Sequence, residues 1–114
     1  MTKYNAKRVY LDNVWFDSQA EARRYSQLCL LEKAGEIVDL RVHPRYELES
    51  PFTDAIGERH RAIYYIGDFE YKFPHSGQVV CEDVKGVETP VFRLKAHMFA
   101  RRYPHIKLEI VKGV

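Results

Sequence analysis

Residues 62–84 constrain the fold more than any other stretch. From Ala62 to Phe73 the apolar side chains Ile63, Tyr65, Phe69, Tyr71 and Phe73 fall at alternate positions, the two-residue period of a strand with one buried face. Pro74-His75-Ser76-Gly77 has turn chemistry, and Gln78 to Val84 then reads as the antiparallel partner. A paired sheet at the centre of the chain must be covered by whatever flanks it.

The flanks supply helices. Ser18-Gln19-Ala20-Glu21 has capping-box spacing, Tyr25, Leu28, Cys29 and Leu31 follow with helical periodicity, and Gly35 is a stop signal, so a helix is predicted over 18–34. A second helix is predicted from Thr89-Pro90 to just before Pro104, with proline in its first turn, and a last strand over 106–111. Ile37 to Leu40 and Tyr46 to Leu48, interrupted by Pro44, read as a bent or two-part edge strand, because proline donates no ladder hydrogen bond. Residues 51–57 read as a loop. Arg8 to Leu11 and Val14 to Phe16 flank Asp12-Asn13 as a small hairpin. The order is αβββαβ after an N-terminal hairpin, an α/β fold, and 114 residues without repeat or linker fit one domain over 1–114.

An apolar content of 46% provides a core and excludes a disordered chain. No stretch approaches the roughly 20 apolar residues of a membrane span, and Met1 to Asn5 open no signal-peptide pattern, so the expected location is cytoplasmic. The net charge of +2 argues for no partner, but residues 93–107 carry Arg93, Lys95, Arg101, Arg102 and Lys107 without one acid. That is a local basic face. Cys29 and Cys81 lack ligand or CxxC spacing and read as reduced, buried thiols. His43, His60, His75, His97 and His105 show no ligand spacing either, so no zinc site is expected.

The acids carry the chemistry. Strand alternation puts Asp68 on a face with Tyr64, Ile66 and Glu70, and Asp83 with Val79, Cys81 and Lys85, while Glu82 points the other way. A turn centred near residue 75 sets Asp68 opposite residue 82 or 83. Glu21 falls on the apolar stripe of its helix, a costly place for a charge. Neighbouring carboxylates repel, and a divalent cation with oxygen ligands relieves them; Lys85 can then stabilise charge on a phosphate or orient water. Each group also has a plain structural role open to it: Glu21 in the capping box, Asp68 as a satisfied acid, Asp83 and Lys85 as an ion pair, and the basic helix as a solvated face. Because that helix begins beside Lys85, Lys95 and Arg93, followed by Arg101 and Arg102, are the candidates for nucleic-acid backbone contact. Tyr64 or Tyr25 could line the cleft.

Glu21, the strand Ile66-Gly67-Asp68-Phe69 and the run Val80-Cys81-Glu82-Asp83-Val84-Lys85-Gly86 resemble the PD-(D/E)XK nuclease superfamily, whose core has the order inferred above. The whole chain is similar to a small phage-encoded family within it, through Lys3-Tyr4-Asn5-Ala6-Lys7, Phe16-Asp17-Ser18, Glu21-Ala22-Arg23-Arg24-Tyr25 and Tyr103-Pro104. The resemblance implies a restriction-endonuclease-like core, a central mixed sheet flanked by helices. It implies Asp68, Asp83 and Glu21 as metal ligands and Lys85 as the catalytic lysine. Two departures stand out: Gly67 replaces the proline of the superfamily's name, and Glu82 competes with Asp83. The implied activity is metal-assisted hydrolysis of nucleic-acid phosphodiesters, and the resemblance does not imply which nucleic acid. The function expected here is a Mg²⁺-dependent endodeoxyribonuclease, with Mn²⁺ substituting, on branched, duplex or single-stranded DNA, and structure-directed or weakly sequence-specific because so small a domain has little surface for reading a long sequence. A homodimer is left open. The alternatives are a non-catalytic module on the same fold that binds nucleic acid or protein, and a small virion or assembly component.

Overall fold

Asp12 and Asn13 adopt φ of 52° and 65°, the backbone that lets a two-residue turn match strand twist, and they close β1 (Val9–Leu11) on β2 (Val14–Phe16). The computed structural model describes residues 7–113, so Lys3 to Ala6 of the resemblance lie outside the described residues. After the hairpin come α1 (Gln19–Lys33), β3 (Val38–Val42), β4 (Arg45–Glu49), β5 (Phe52–Thr53), β6 (Arg59–His60), β7 (Ile63–Ile66), β8 (Phe69–Lys72), β9 (Val79–Val84), α2 (Pro90–Arg102) and β10 (Ile106–Val111).

The architecture is mixed α/β. A four-stranded sheet runs β10-β9-β8-β3, with β10 parallel to β9 and the other pairs antiparallel. Successive residues of β9 point to opposite faces, which separates two cores. Val80 joins Phe16, Ala22, Leu28, Ile37, Phe69 and Tyr71 on the α1 side, and Cys81 joins Tyr46, Leu48, Tyr65, Phe92 and Phe99 on the α2 side. Thr89 caps α2 by accepting from the Phe92 N–H, with Pro90 in the first turn.

The strand expected over 62–73 is broken at Gly67-Asp68, and the same happens opposite it at His43-Pro44. Val42 pairs with Phe69 in the large sheet, whereas Arg45 pairs with Ile66 in the separate β4–β7 pair. Two backbone bonds carry the ribbon across the bend: His43 N–H to Asp68 O at 2.9 Å and Gly67 N–H to Pro44 O at 3.0 Å. Pro44 therefore sits where its missing N–H costs nothing, and its partner position is a glycine. A Cβ on Gly67 would lie 2.5 Å from the Cys81 Sγ, so the close approach admits no side chain there. The break changes faces. Tyr65 packs on the α2 side and Phe69 and Tyr71 on the α1 side, so the alternate residues of 62–73 do not line one face as expected.

Two smaller expectations also change. The loop over 51–57 contains most of a short hairpin, β5 paired with β6, because Asp54 Oδ1 accepts from the Ile56 and Glu58 N–H groups and closes the turn. Of the two thiols, Cys81 is buried as expected, but Cys29 is only half-buried.

Candidate metal centre

Glu21 stands in the first turn of α1, where the Ser18 Oγ accepts from its backbone N–H at 3.1 Å. The capping serine leaves the carboxylate free to turn inward, and the residue is 8% exposed. Its Oε1 is buried with no hydrogen-bond partner among the described residues. Burial, then the Asp17 charge, pushes the Glu21 carboxyl up to about 7.

Asp68 occupies the break between β7 and β8. The register Phe69 to Glu82 and Glu70 to Cys81 carries on to set it beside Asp83 at the end of β9. Its backbone N–H donates to Glu82 O at 2.9 Å, and its Oδ2 accepts from the Val84 N–H at 2.6 Å. Burial, then the charges of Glu21 and Asp83, pushes its carboxyl up to about 8.

Asp83, 5% exposed, receives the Tyr65 hydroxyl on Oδ2 at 2.5 Å, and the Lys85 ammonium lies 3.4 Å from Oδ1. Burial, then that bond to Asp83, holds the Tyr65 phenol far above its usual range, so it stays a donor. Lys85 also lies 4.6 Å over the Phe92 ring. Glu82 points to the opposite face, 0% exposed, where the Arg24 fork grips it through Nε to Oε1 at 2.8 Å and Nη2 to Oε2 at 2.6 Å, and the Tyr71 hydroxyl donates to Oε2. Arg24 is one helical turn past Glu21, so this pair fixes α1 against β9 and holds the Glu21 carboxylate over the sheet.

The structure therefore sets Asp68 near both Glu21 and Asp83, with Lys85 against Asp83, but Asp83 lies outside the set of ligand atoms within 4.8 Å of one another. It adds His43, which sequence reasoning set aside: its Nε2 is 3.9 Å from Glu21 Oε1, and ligand atoms of Glu21, His43 and Asp68 lie within 4.8 Å of one another. Tyr65 is the other residue not anticipated. Glu21 and Asp68, both held above the usual carboxylate range, with the neighbouring Asp83 carboxylate and an unpartnered buried oxygen, form a donor set suited to a hard divalent cation.

A cleft of about 230 Å³ opens beside Asp83 and Lys85, between β7 and the start of α2, lined also by Tyr64, Tyr65, Ile66 and Lys95 among others. Of the four basic candidates, Lys95 reaches this cleft. Arg93 donates to Glu88 O at 2.9 Å, and Arg102 to Leu48 O at 3.3 Å. Arg101 lies six residues beyond Lys95, about 9 Å farther along the helix. Tyr64 lines the cleft, whereas Tyr25 packs on Phe16 and Phe69 and donates to Asp12. A second group, Asp54, Glu58 and His60, sits on the β5–β6 hairpin with its members bonded to one another.

Fold and site together define a mixed α/β protein with an acidic centre at a break in its sheet. The family model described as "Protein of unknown function (DUF1064)" matches residues 1–114, and the chain belongs to that family. No curated protein and no solved structure matches it. Among the described residues no helix is long and apolar enough to cross a membrane.

Proposed function

We propose that this protein is a Mg²⁺-dependent endodeoxyribonuclease on a restriction-endonuclease-like core, structure-directed or weakly sequence-specific, in which Mn²⁺ can replace Mg²⁺. The observation that carries the reading is the unpartnered Glu21 Oε1, buried and turned toward Asp68, with Asp83 and Lys85 at the same rim of the sheet. A buried carboxylate oxygen without a donor is costly, and a cation is the partner that would relieve Glu21 and Asp68 together, with Asp83 beside them.

Asp68, Asp83 and Glu21 would hold the ion. When bound, such an ion lowers the pKa of water and offsets charge on a phosphate. The rest falls to the chain. Lys85, held between Asp83 and the Phe92 ring, presents its ammonium at the mouth of the cleft, where it can stabilise negative charge on the phosphate or orient water. Tyr65 keeps Asp83 in place through its hydroxyl. Lys95 adds a second cation on the cleft wall, matched to a polyanionic strand. A chain of 114 residues leaves little surface for reading a long sequence, which favours recognition of DNA shape.

The test is a panel of supercoiled, linear, single-stranded and four-way-junction DNA, with and without Mn²⁺. Cleavage of at least one member should require the ion, and Asp83→Ala should abolish it; Asp83→Asn, whose amide oxygen can still accept from the Tyr65 hydroxyl, should abolish it with the folded state retained. Cutting that persists in Asp83→Ala removes that residue from the mechanism. Salt-sensitive binding without turnover, indifferent to Mn²⁺, would leave a non-catalytic module.

A further inference from the structure

Resting on the cation-centre reading, we infer that His43 is a ligand of the same ion, and that its imidazole makes the centre prefer Mn²⁺, a transition ion, over Mg²⁺. The juxtaposition is direct. His43 Nε2 lies 3.9 Å from the buried, unpartnered Glu21 Oε1, and both fall with an Asp68 oxygen in a set whose members are within 4.8 Å of one another. Donor atoms 2.0–2.6 Å from a shared ion stand roughly 3–5 Å apart, so the spacing accommodates a cation between them.

Backbone places the ring there. His43 is the last residue before Pro44 and adopts φ of +54°, so the chain turns at the end of β3. Its N–H is anchored on Asp68 O at 2.9 Å, so the residue is tied to the acid with which it would share the ion. The Phe16 ring, 6.0 Å away, bounds it from the hairpin side. A ring that merely paired with Glu21 would be expected at hydrogen-bond distance; at 3.9 Å, Glu21 Oε1 remains without a partner.

The ligand type decides the selectivity. Carboxylate and water oxygens suit Mg²⁺ and Mn²⁺ alike, whereas an imidazole nitrogen adds affinity for transition ions and little for Mg²⁺. Losing even an outer-sphere partner of a metal ligand costs roughly 10–100-fold in affinity, so losing an imidazole ligand should cost Mn²⁺ at least about tenfold.

The experiment is pulsed electron paramagnetic resonance on the full chain loaded with Mn²⁺, prepared with ¹⁵N-labelled histidine, together with Mn²⁺ and Mg²⁺ titrations. His43→Asn is the variant, since asparagine tolerates the left-handed backbone of this position. A ¹⁵N coupling to Mn²⁺ that disappears in His43→Asn, with a drop of about tenfold or more in the Mn²⁺ to Mg²⁺ affinity ratio and an unchanged melting temperature of the metal-free protein, is the expected result. Mn²⁺ binding that is lost in Asp68→Asn but carries no nitrogen coupling overturns this inference and leaves the carboxylate centre standing. A coupling that survives in His43→Asn also overturns it, by assigning the nitrogen to another histidine. No Mn²⁺ binding at all overturns both this inference and the proposed function.

Discussion

Freed of divalent ions, the protein should become less stable as pH rises from about 5 to 8. Unfolded, Glu21 and Asp68 titrate near 4.5 and 3.8; folded, burial and mutual repulsion move them to about 7 and about 8. Between those limits the folded state holds more protons than the unfolded one, so the free energy of unfolding falls with increasing pH. At about 1.4 kcal/mol per pH unit, ionising Glu21 alone costs about 3 kcal/mol. Asp68 costs more. Repulsion between the two belongs to both and part of the loss falls below pH 5, so the loss between pH 5 and pH 8 is expected to be on the order of 4 kcal/mol. With a denaturant slope of about 1.5 kcal/mol per M, the urea midpoint of EDTA-treated protein should drop by roughly 2–3 M between pH 5 and pH 8. Saturating Mn²⁺ should restore it at pH 8, because the folded state alone offers the site. Glu21→Gln should raise the metal-free midpoint at pH 8 and flatten the slope. A metal-free midpoint that is constant or rises over this range, or a slope that Glu21→Gln leaves unchanged, would refute the reasoning.

Three further outcomes are expected. Arg24→Ala leaves the Glu82 carboxylate, 0% exposed, without its bidentate cation and should cost about 3–5 kcal/mol in urea unfolding; pairing it with Glu82→Gln should recover part of the loss. Gly67→Ala brings a methyl to 2.5 Å from Cys81 Sγ and should cost about 1–3 kcal/mol while weakening Mn²⁺ binding through the displaced Asp68, and in the Cys81→Ala background the penalty should shrink by about 1 kcal/mol or more. Lys95→Ala should weaken DNA binding and reduce the slope of log K against log salt by about 1, whereas Arg101→Ala, farther from the cleft, should change the affinity less.

Much of the fold was legible because its signals are local. The capping serine, the proline in the first turn of α2, the Asp12-Asn13 turn and the Pro74 to Gly77 turn each fix an element from a few adjacent residues, and both helices and the last strand fall within a residue or two of expectation. Alternation across a tight turn also set Asp68 beside Asp83. The bend at Pro44 was expected; what escaped is its match with a second break at Gly67, which depends on two distant segments at once. Pro44 was read as a break in one strand and Gly67 as a departure from a motif, but the two face each other across the ribbon, and their meeting splits the strand and swings its faces apart. His43 followed from the same oversight. Its ligand partners are 22 and 25 positions away in sequence, so no spacing rule for histidines finds it; aligning Pro44 with Gly67 would have set His43 against Asp68. Tyr65 was hidden likewise, because the uninterrupted alternation assigned it to the face of Phe69 rather than to Asp83.

Anomalous diffraction from crystals soaked in Mn²⁺ addresses the central claim most directly. The account predicts a strong peak bounded by the carboxylates of residues 21, 68 and 83, absent in crystals of Asp68→Asn. A peak confined to the Asp54 and His60 hairpin, or none at all, would contradict it.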